Sequence, residues 1–310
     1  MTSAKGRVLL TGATGFIGRY CVPALLGRGF EVHAVTSRPP PDDEAGATWH
    51  RFDLLDPASC WAAVDAIAPT HVLHLAWIAK PGVFWSSAEN LRWLAAGVSL
   101  LEASAAAHAR VVVAGTCAEY ASGDAACSEG RTPLRPDTVY GHAKAALYHA
   151  FEALRAGSGL NGAWGRLFFP YGPDEPPGRL IPAAIESMLL RREFACTDGL
   201  QSRDFIYVDD VAEALCVLLA SDAGGAFNIG TGVPTQLRSV IASIASRLEG
   251  ADLVRFGARL RPASDPDFVV ADMTRMRREV GWSATTSLDE GLDRTVSYWR
   301  GRLGTQASLA

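Results

Sequence analysis

The sequence lacks the features that would assign it to several large classes of protein. Its six cysteines (Cys21, Cys60, Cys117, Cys127, Cys196 and Cys216) are scattered; none forms a CxxC pair, and no histidines lie beside them at zinc-ligand spacing. Neither a disulfide framework nor a metal site is expected, and a reducing, cytoplasmic setting fits. There is no Lys/Arg run and the net charge is −4, so the chain offers no field for nucleic acid. No apolar run approaches the ~20 residues that span a bilayer, so no membrane association is expected. The start, MTSAKGRVLLTG, leads straight into an apolar run and is read as carrying no secretory signal. No internal repeat or low-complexity linker interrupts the 310 residues. The composition, 48% hydrophobic and 20% charged, is that of a globular protein with a large core, in one big domain or two intimate ones.

Against that plain background one local pattern stands out. The apolar run Arg7–Leu10 is followed by TGATGFIG, an apolar helical pattern and a second apolar run, FEVHAV. Strand, glycine turn, helix and strand within ~30 residues predict a βαβ dinucleotide-binding unit. Gly12 permits the tight turn, Gly15 lets the backbone approach a pyrophosphate, and Gly18 lets helix pack on strand. Thr14, Phe16 and Ile17 complete the turn expected to face the cofactor, with the diphosphate on the helix N-terminus. Pro23 is a small irregularity inside that helix. The residues after the second strand choose between cofactors. An acid there would bind the ribose 2′-hydroxyl of NAD, and a cation would accept a 2′-phosphate. The chain reads Val35-Thr36-Ser37-Arg38, with no acid, and Arg19 is close in sequence. Ser37 and Arg38 therefore favour NADP(H), with NAD(H) possible and a solvated loop arginine as the plain alternative. The loop over 39–47 is turn-rich.

Further on, Ala58–Ile67 reads as a helix and Thr70–Ala76 as a strand, with His74 expected to be a core histidine. Trp77, Phe84, Trp85 and Trp93 cluster beyond that strand's C-terminal end, where parallel sheets bind ligands. Trp77 and Trp85 are expected as pocket walls. Ser99–His108 reads as an alanine-rich helix. The stretch Val111–Lys144 holds a buried strand ending at Thr116, a polar loop, and a helix with Tyr140 and Lys144 on one face. An ammonium beside a phenol favours the phenolate and lowers a pKa that starts near ~10. A threonine hydroxyl opposite could hold a carbonyl oxygen. A surface tyrosine and lysine on an amphipathic helix would produce the same YxxxK spacing. Gly162–Phe168 reads as a strand, Ala183–Arg191 as a helix, and Asp209-Asp210 as the cap of another helix. The overall expectation is α/β. A doubly wound parallel sheet occupies 1–168 plus 203–231, and a smaller substrate-binding α/β domain occupies 169–202 plus 232–310.

Taken in order, TGATGFIG, RFDLLD, HLA, GTCAEY, YGHAK, RLFFPYGP, QSRDFIYVDDVA and FNIGTG resemble the extended short-chain dehydrogenase/reductases. The likeness is to their NAD(P)-dependent epimerase/dehydratase branch, which acts on nucleotide sugars, and it spans Thr11 to Trp299. It implies that Thr116, Tyr140 and Lys144 are catalytic and that Lys144 also grips the nicotinamide ribose. It places Asp53 on the adenine amine, with Leu54, Leu75 and Ala76 along the same cofactor. It implies a nucleoside-diphosphate sugar as substrate, with Arg203 and then Arg261 on the diphosphate and Cys117 and Phe169 in the substrate site. An ion pair of Arg203 with Asp204 or Asp209 is the structural alternative. A homodimer packed through helices that include that of Tyr140 is also implied.

The departures narrow the reaction. Where sugar 4,6-dehydratases carry Asp-Glu after the threonine, this chain has Cys117 and Ala118. The acid for dehydration is missing, and Cys117 is one place off the position of a carbon base. Trp93 stands where the family's helix has an asparagine, with Asn90 off register. The expected activity is therefore NADPH-dependent reduction of a C4 ketone on a nucleotide-linked, 6-deoxy sugar, Tyr140 being the general acid. The alternatives are a 4-epimerase with tightly bound NAD(P), a non-catalytic dinucleotide sensor, and a ketone reductase for a non-nucleotide substrate.

Overall fold

The computed structural model describes residues 5–39 and 46–307, with backbone alone for 305–307. Most of the loop expected over 39–47 lies outside the described residues. Strand and helix alternate as β1 (Arg7–Thr11), α1 (Gly18–Gly27), β2 (Glu31–Thr36), β3 (Thr48–Arg51), α2 (Pro57–Ile67) and β4 (His71–His74). There follow α3 (Glu89–Ala106), β5 (Arg110–Thr116), α4 (Val139–Ser158), β6 (Gly162–Leu167), β7 (Phe169–Tyr171) and α5 (Leu180–Leu189). The last long helices are α6 (Val208–Ala220), α7 (Leu237–Arg247) and α8 (Leu288–Ala307).

Seven parallel strands make one sheet in the order Gly225–Ile229, β6, β5, β4, β1, β2, β3. The α/β doubly wound architecture expected from the alternation is therefore present. The order reverses between β1 and β4, which opens a crevice at their C-terminal ends. β5, RVVVAGT, is buried along its whole length, as a strand covered on both faces must be. One core contains Leu10 and Cys21 with Leu215 of α6; another contains Leu9 and Cys60 with Leu100 and Leu147 of α3 and α4. A third, separate core joins Ile185, Val240 and Leu292 of α5, α7 and α8.

Two local expectations are corrected. α3 starts at Glu89 rather than Ser99, because the Asn90 amide anchors its first turn on Phe84 O (2.7 Å) and Ser87 O (2.8 Å). Asp209 and Asp210 lie in the first turn of α6, but neither side chain caps it. Asp210 instead accepts from Thr285 N (3.1 Å), Thr285 Oγ1 (3.0 Å) and Thr286 N (3.0 Å), fastening α6 to the segment before α8. Among the described residues no helix is long and apolar enough to cross a membrane, and no His/Cys/Asp/Glu cluster could hold a metal ion.

Candidate active site

Thr116 closes β5 and caps a short 3-10 turn, Cys117–Glu119. Its Oγ1 accepts from Ala118 N (3.2 Å), while Glu119 Oε1 accepts from Thr116 N (2.9 Å). This reciprocal capping box holds the threonine at the sheet edge and leaves its own proton free to donate. The Thr116 hydroxyl lies close enough to the Tyr140 phenol to favour the phenolate. Tyr140 is the second residue of α4, whose start is fixed by Thr138 Oγ1 accepting from Gly141 N (3.0 Å).

The expected lowering of the Tyr140 pKa is corrected. Burial dominates and raises it, and the nearby Thr116 hydroxyl only partly offsets this. Lys144 lies one turn along the same face, 3% exposed. Its Nζ donates to Ala114 O (2.8 Å) and sits 3.8 Å from the Trp77 ring centroid rather than against the phenol. Burial brings the Lys144 pKa down to about 7. Trp77 is thus a floor under Lys144, with its Nε1 donating to Asn90 Oδ1 (2.8 Å). It does not line the cavity described below. Asn90, left off register in the sequence, ties Trp77 to the 84–87 loop. Trp85 O of that loop accepts from Tyr140 N (3.2 Å), and Phe84 and Trp85 stand edge-on to the Tyr140 ring at 5.0 and 5.6 Å.

Beneath Thr116 lies a layer that the sequence reading missed. Glu119 is completely buried, its Oε2 2.7 Å from Arg166 Nε, and it also accepts from Trp164 Nε1 (3.0 Å). Arg166 Nη1 in turn donates to Tyr120 Oη (3.2 Å).

The glycine turn fits a dinucleotide. A Cβ on Gly12 would come within 2.8 Å of Ala76 N, and one on Gly18 within 2.1 Å of Gly12 O, so strand, turn and helix approach as only glycine allows. No side chain caps the start of α1; Arg19 N and Tyr20 N donate back to Gly15 O (3.2 Å) and Ile17 O (3.1 Å). Thr14 and Gly15 are exposed, and Phe16 and Ile17 half-buried. Ser37, Arg38 and Asp53 are exposed, the first two just past β2 and Asp53 just past β3. Leu75 and Ala76 line the crevice by their backbones, donating to Thr11 Oγ1 at 3.0 and 3.1 Å. The Leu54 side chain is core, which leaves only its backbone for a ligand. Arg19 pairs with Asp174 at 2.6 Å. His74 is the core histidine expected: its Nδ1 lies 2.8 Å from Thr11 Oγ1, and burial drops its pKa to about 3.

A cavity of about 270 Å³ has Phe84, Trp85, Phe169, Arg203 and Asp265 in its lining, and its Phe84 and Trp85 are the rings that stand edge-on to Tyr140. Arg203 pairs with neither Asp204 nor Asp209. Its Nη2 lies 2.5 Å from Asp265 Oδ1. Asp204 is occupied by Thr231, Gly232 and Ala271. Arg261 reaches the same Asp265, Nε to Oδ2 at 3.2 Å, and Asp267 at 2.6 Å. The two arginines singled out for one anion thus converge on one carboxylate. Cys117 is half-buried beside them, and burial raises its thiol pKa.

The model of the NAD dependent epimerase/dehydratase family matches residues 8–230. This chain belongs to that family. Among curated relatives, a probable dTDP-glucose 4,6-dehydratase of Sinorhizobium fredii is 27% identical over 94% of this chain and 92% of its own length. Among solved family structures, UDP-glucose 4-epimerase of Thermotoga maritima, with UDP-glucose, superposes with a TM-score of 0.87. It is 25% identical, covering 96% of this chain and 99% of that one. MoeE5, in complex with UDP-glucuronic acid and NAD, gives a TM-score of 0.84 at 32% identity, covering 96% and 100%. The epimerase/dehydratase chain described here shares their α/β architecture, and its resemblance to the extended short-chain dehydrogenase/reductases is that of a member.

Proposed function

We propose that this chain is an NAD(P)-dependent oxidoreductase acting at C4 of a sugar carried on a nucleoside diphosphate, as an NADPH-dependent 4-ketoreductase. The observation that carries the reading is the Thr116 hydroxyl close to the Tyr140 phenol, with Lys144 one turn on, next to Cys117 and Ala118, which bring no carboxyl group. The carboxylate of that segment, Glu119, is committed to Arg166.

Gly12, Gly15, Gly18, Ser37, Arg38 and Asp53 would hold the dinucleotide, and Lys144 its nicotinamide ribose. A reduced nicotinamide, when bound there, would supply hydride to C4. Thr116 holds the C4 carbonyl oxygen. Tyr140 gives that oxygen its proton as the carbon–oxygen π bond opens, so the product is an alcohol and the phenolate then regains a proton. Burial keeps the phenol protonated at neutral pH, which suits an acid donating to a developing alkoxide. Arg203 and Arg261 are suited to a diphosphate, since paired guanidinium forks match its oxygens. Trp85 gives the cavity an apolar side that accommodates a C6 methyl group.

A 4-epimerase is the second reading, supported by the likeness to the Thermotoga UDP-glucose 4-epimerase over nearly the whole chain. It would use the same three residues with a retained cofactor and turn the keto sugar between two hydride transfers. Incubation with NADPH and a 4-keto-6-deoxy sugar nucleotide should consume NADPH and 4-keto sugar one for one. No consumption across dTDP- and UDP-linked substrates, together with UDP-glucose to UDP-galactose conversion by protein that keeps NAD through dialysis, would replace the reductase by the epimerase.

A further inference from the structure

The loop between β7 and α5 carries an acid that the proposed hydride transfer does not use. Glu175 is 4% exposed and lines the cavity beside Tyr140. Its Oε1 lies 3.3 Å from Arg179 Nε, and its Oε2 has no partner. A buried carboxyl oxygen without a hydrogen bond is unfavourable, and a polar ligand removes that cost. Burial pushes the Glu175 pKa up to about 8, so at neutral pH the group is an acid that can donate as well as accept.

The neighbours of Glu175 belong to all parts of the site. Asp174 pairs with Arg19, and Pro173 O accepts from Tyr20 (3.0 Å); both partners are on α1 just past the glycine turn. Arg179 is close enough to Tyr140 for its charge to favour the phenolate. The cavity that Glu175 lines also holds Arg203 and Trp85, and the Trp85 ring stands on the Tyr140 ring. A sugar with its diphosphate on Arg203 and its reacting carbon at Tyr140, on the other side of Trp85, would extend along the cavity that Glu175 lines.

We propose that Glu175 is a sugar-recognition residue, its carboxyl group hydrogen-bonding a hydroxyl of the nucleotide-linked sugar and so selecting which hexose the cavity holds. This rests on the nucleotide-sugar reading above, and it adds a carboxyl reader of the sugar to the arginines and aromatics that the sequence motifs place there. Replacing one buried hydrogen bond by an apolar contact should cost about tenfold in affinity.

The test is calorimetric titration of wild type, Glu175→Leu and Glu175→Gln with UDP and UDP-glucose, with dTDP and dTDP-glucose in parallel. The leucine variant should bind the sugar nucleotide about tenfold more weakly while its affinity for the bare diphosphate stays within about twofold. The glutamine variant keeps a donor and an acceptor, and should stay within about threefold of wild type for both. Diphosphate binding also shows that each variant folds; Glu175→Ala takes the place of a leucine variant that does not. An apolar variant that binds the sugar nucleotide as wild type does, or loses the diphosphate equally, overturns the proposal, as does a glutamine variant no better than the apolar one. Wild-type protein that binds none of the four ligands removes the nucleotide-sugar reading itself.

Discussion

The Glu119 carboxylate and the Arg166 guanidinium form a fully buried ion pair, 2.7 Å from Oε2 to Nε, immediately behind Thr116. The other oxygen of Glu119 holds the Thr116 amide at 2.9 Å. Thr116 is therefore positioned by an ion pair that is buried from solvent. Removing one partner leaves an uncompensated buried charge. Glu119→Ala should destabilise the chain by about 3–5 kcal/mol in urea unfolding. The double replacement Glu119→Leu with Arg166→Met should cost less than either single change. A single variant with wild-type stability would show that the pair is not closed in solution.

Lys144 gives a pH signature. Its pKa is about 7 in the folded chain against a usual 10.5, because burial disfavours the ammonium. Between those values the unfolded chain binds more protons than the folded one, so this group's contribution makes stability rise with pH from 7 towards 10.5. Lys144→Met removes that contribution. The variant's melting temperature should exceed that of wild type most at pH 6.5–7, and the gap should close by pH 10. A constant gap would mean that the lysine is not buried as described.

In the proposed reaction Tyr140 and Thr116 have different parts. Tyr140→Phe removes the proton donor and should lower kcat by roughly 10²–10⁴ with little change in dinucleotide affinity. Thr116→Val keeps the shape but not the hydroxyl, and should lower kcat less. Steady-state kinetics with a 4-keto sugar nucleotide checks both. Full activity of Tyr140→Phe would end the catalytic reading.

Arg38 stands exposed just beyond β2, where a 2′-phosphate would sit. Arg38→Ala should weaken NADPH binding by about tenfold or more and leave NADH unchanged, as fluorescence titration would report. Equal effects on both cofactors would favour NAD and, with it, the epimerase.

Arg203 and Arg261 differ in setting although both hold Asp265. Arg203 lies buried in the cavity wall and Arg261 is more open. Arg203→Lys loses the planar fork and should weaken UDP binding by about tenfold; Arg261→Ala should cost less. An Arg261 variant with the larger loss would reverse their assigned weights.

The legible parts of this protein were those with local causes. TGATGFIG between two apolar runs needs no long-range information, because Gly12 and Gly18 answer to a turn and a helix packed within the same βαβ unit. The strand ending at Thr116 and the Tyr140–Lys144 face follow from periodicity in the same way. Asn90, Asp265 and Glu175 were illegible for the opposite reason. Asn90 and Trp77 are brought together by the turn of the 80–88 segment, and Asp265 reaches Arg203 across a sequence separation of 62. The acid of Glu175 is perturbed only because the fold buries it.

The amino-acid order alone thus determined the alternating α/β scaffold, the glycine turn and the three catalytic candidates, since each depends on spacing along one strand, turn or helix. Tertiary structure decided where Lys144 points, which carboxylate meets Arg203, and that burial outweighs any neighbouring charge at Tyr140. Those outcomes are set by desolvation and by contacts between distant segments, and neither exists until the chain has folded.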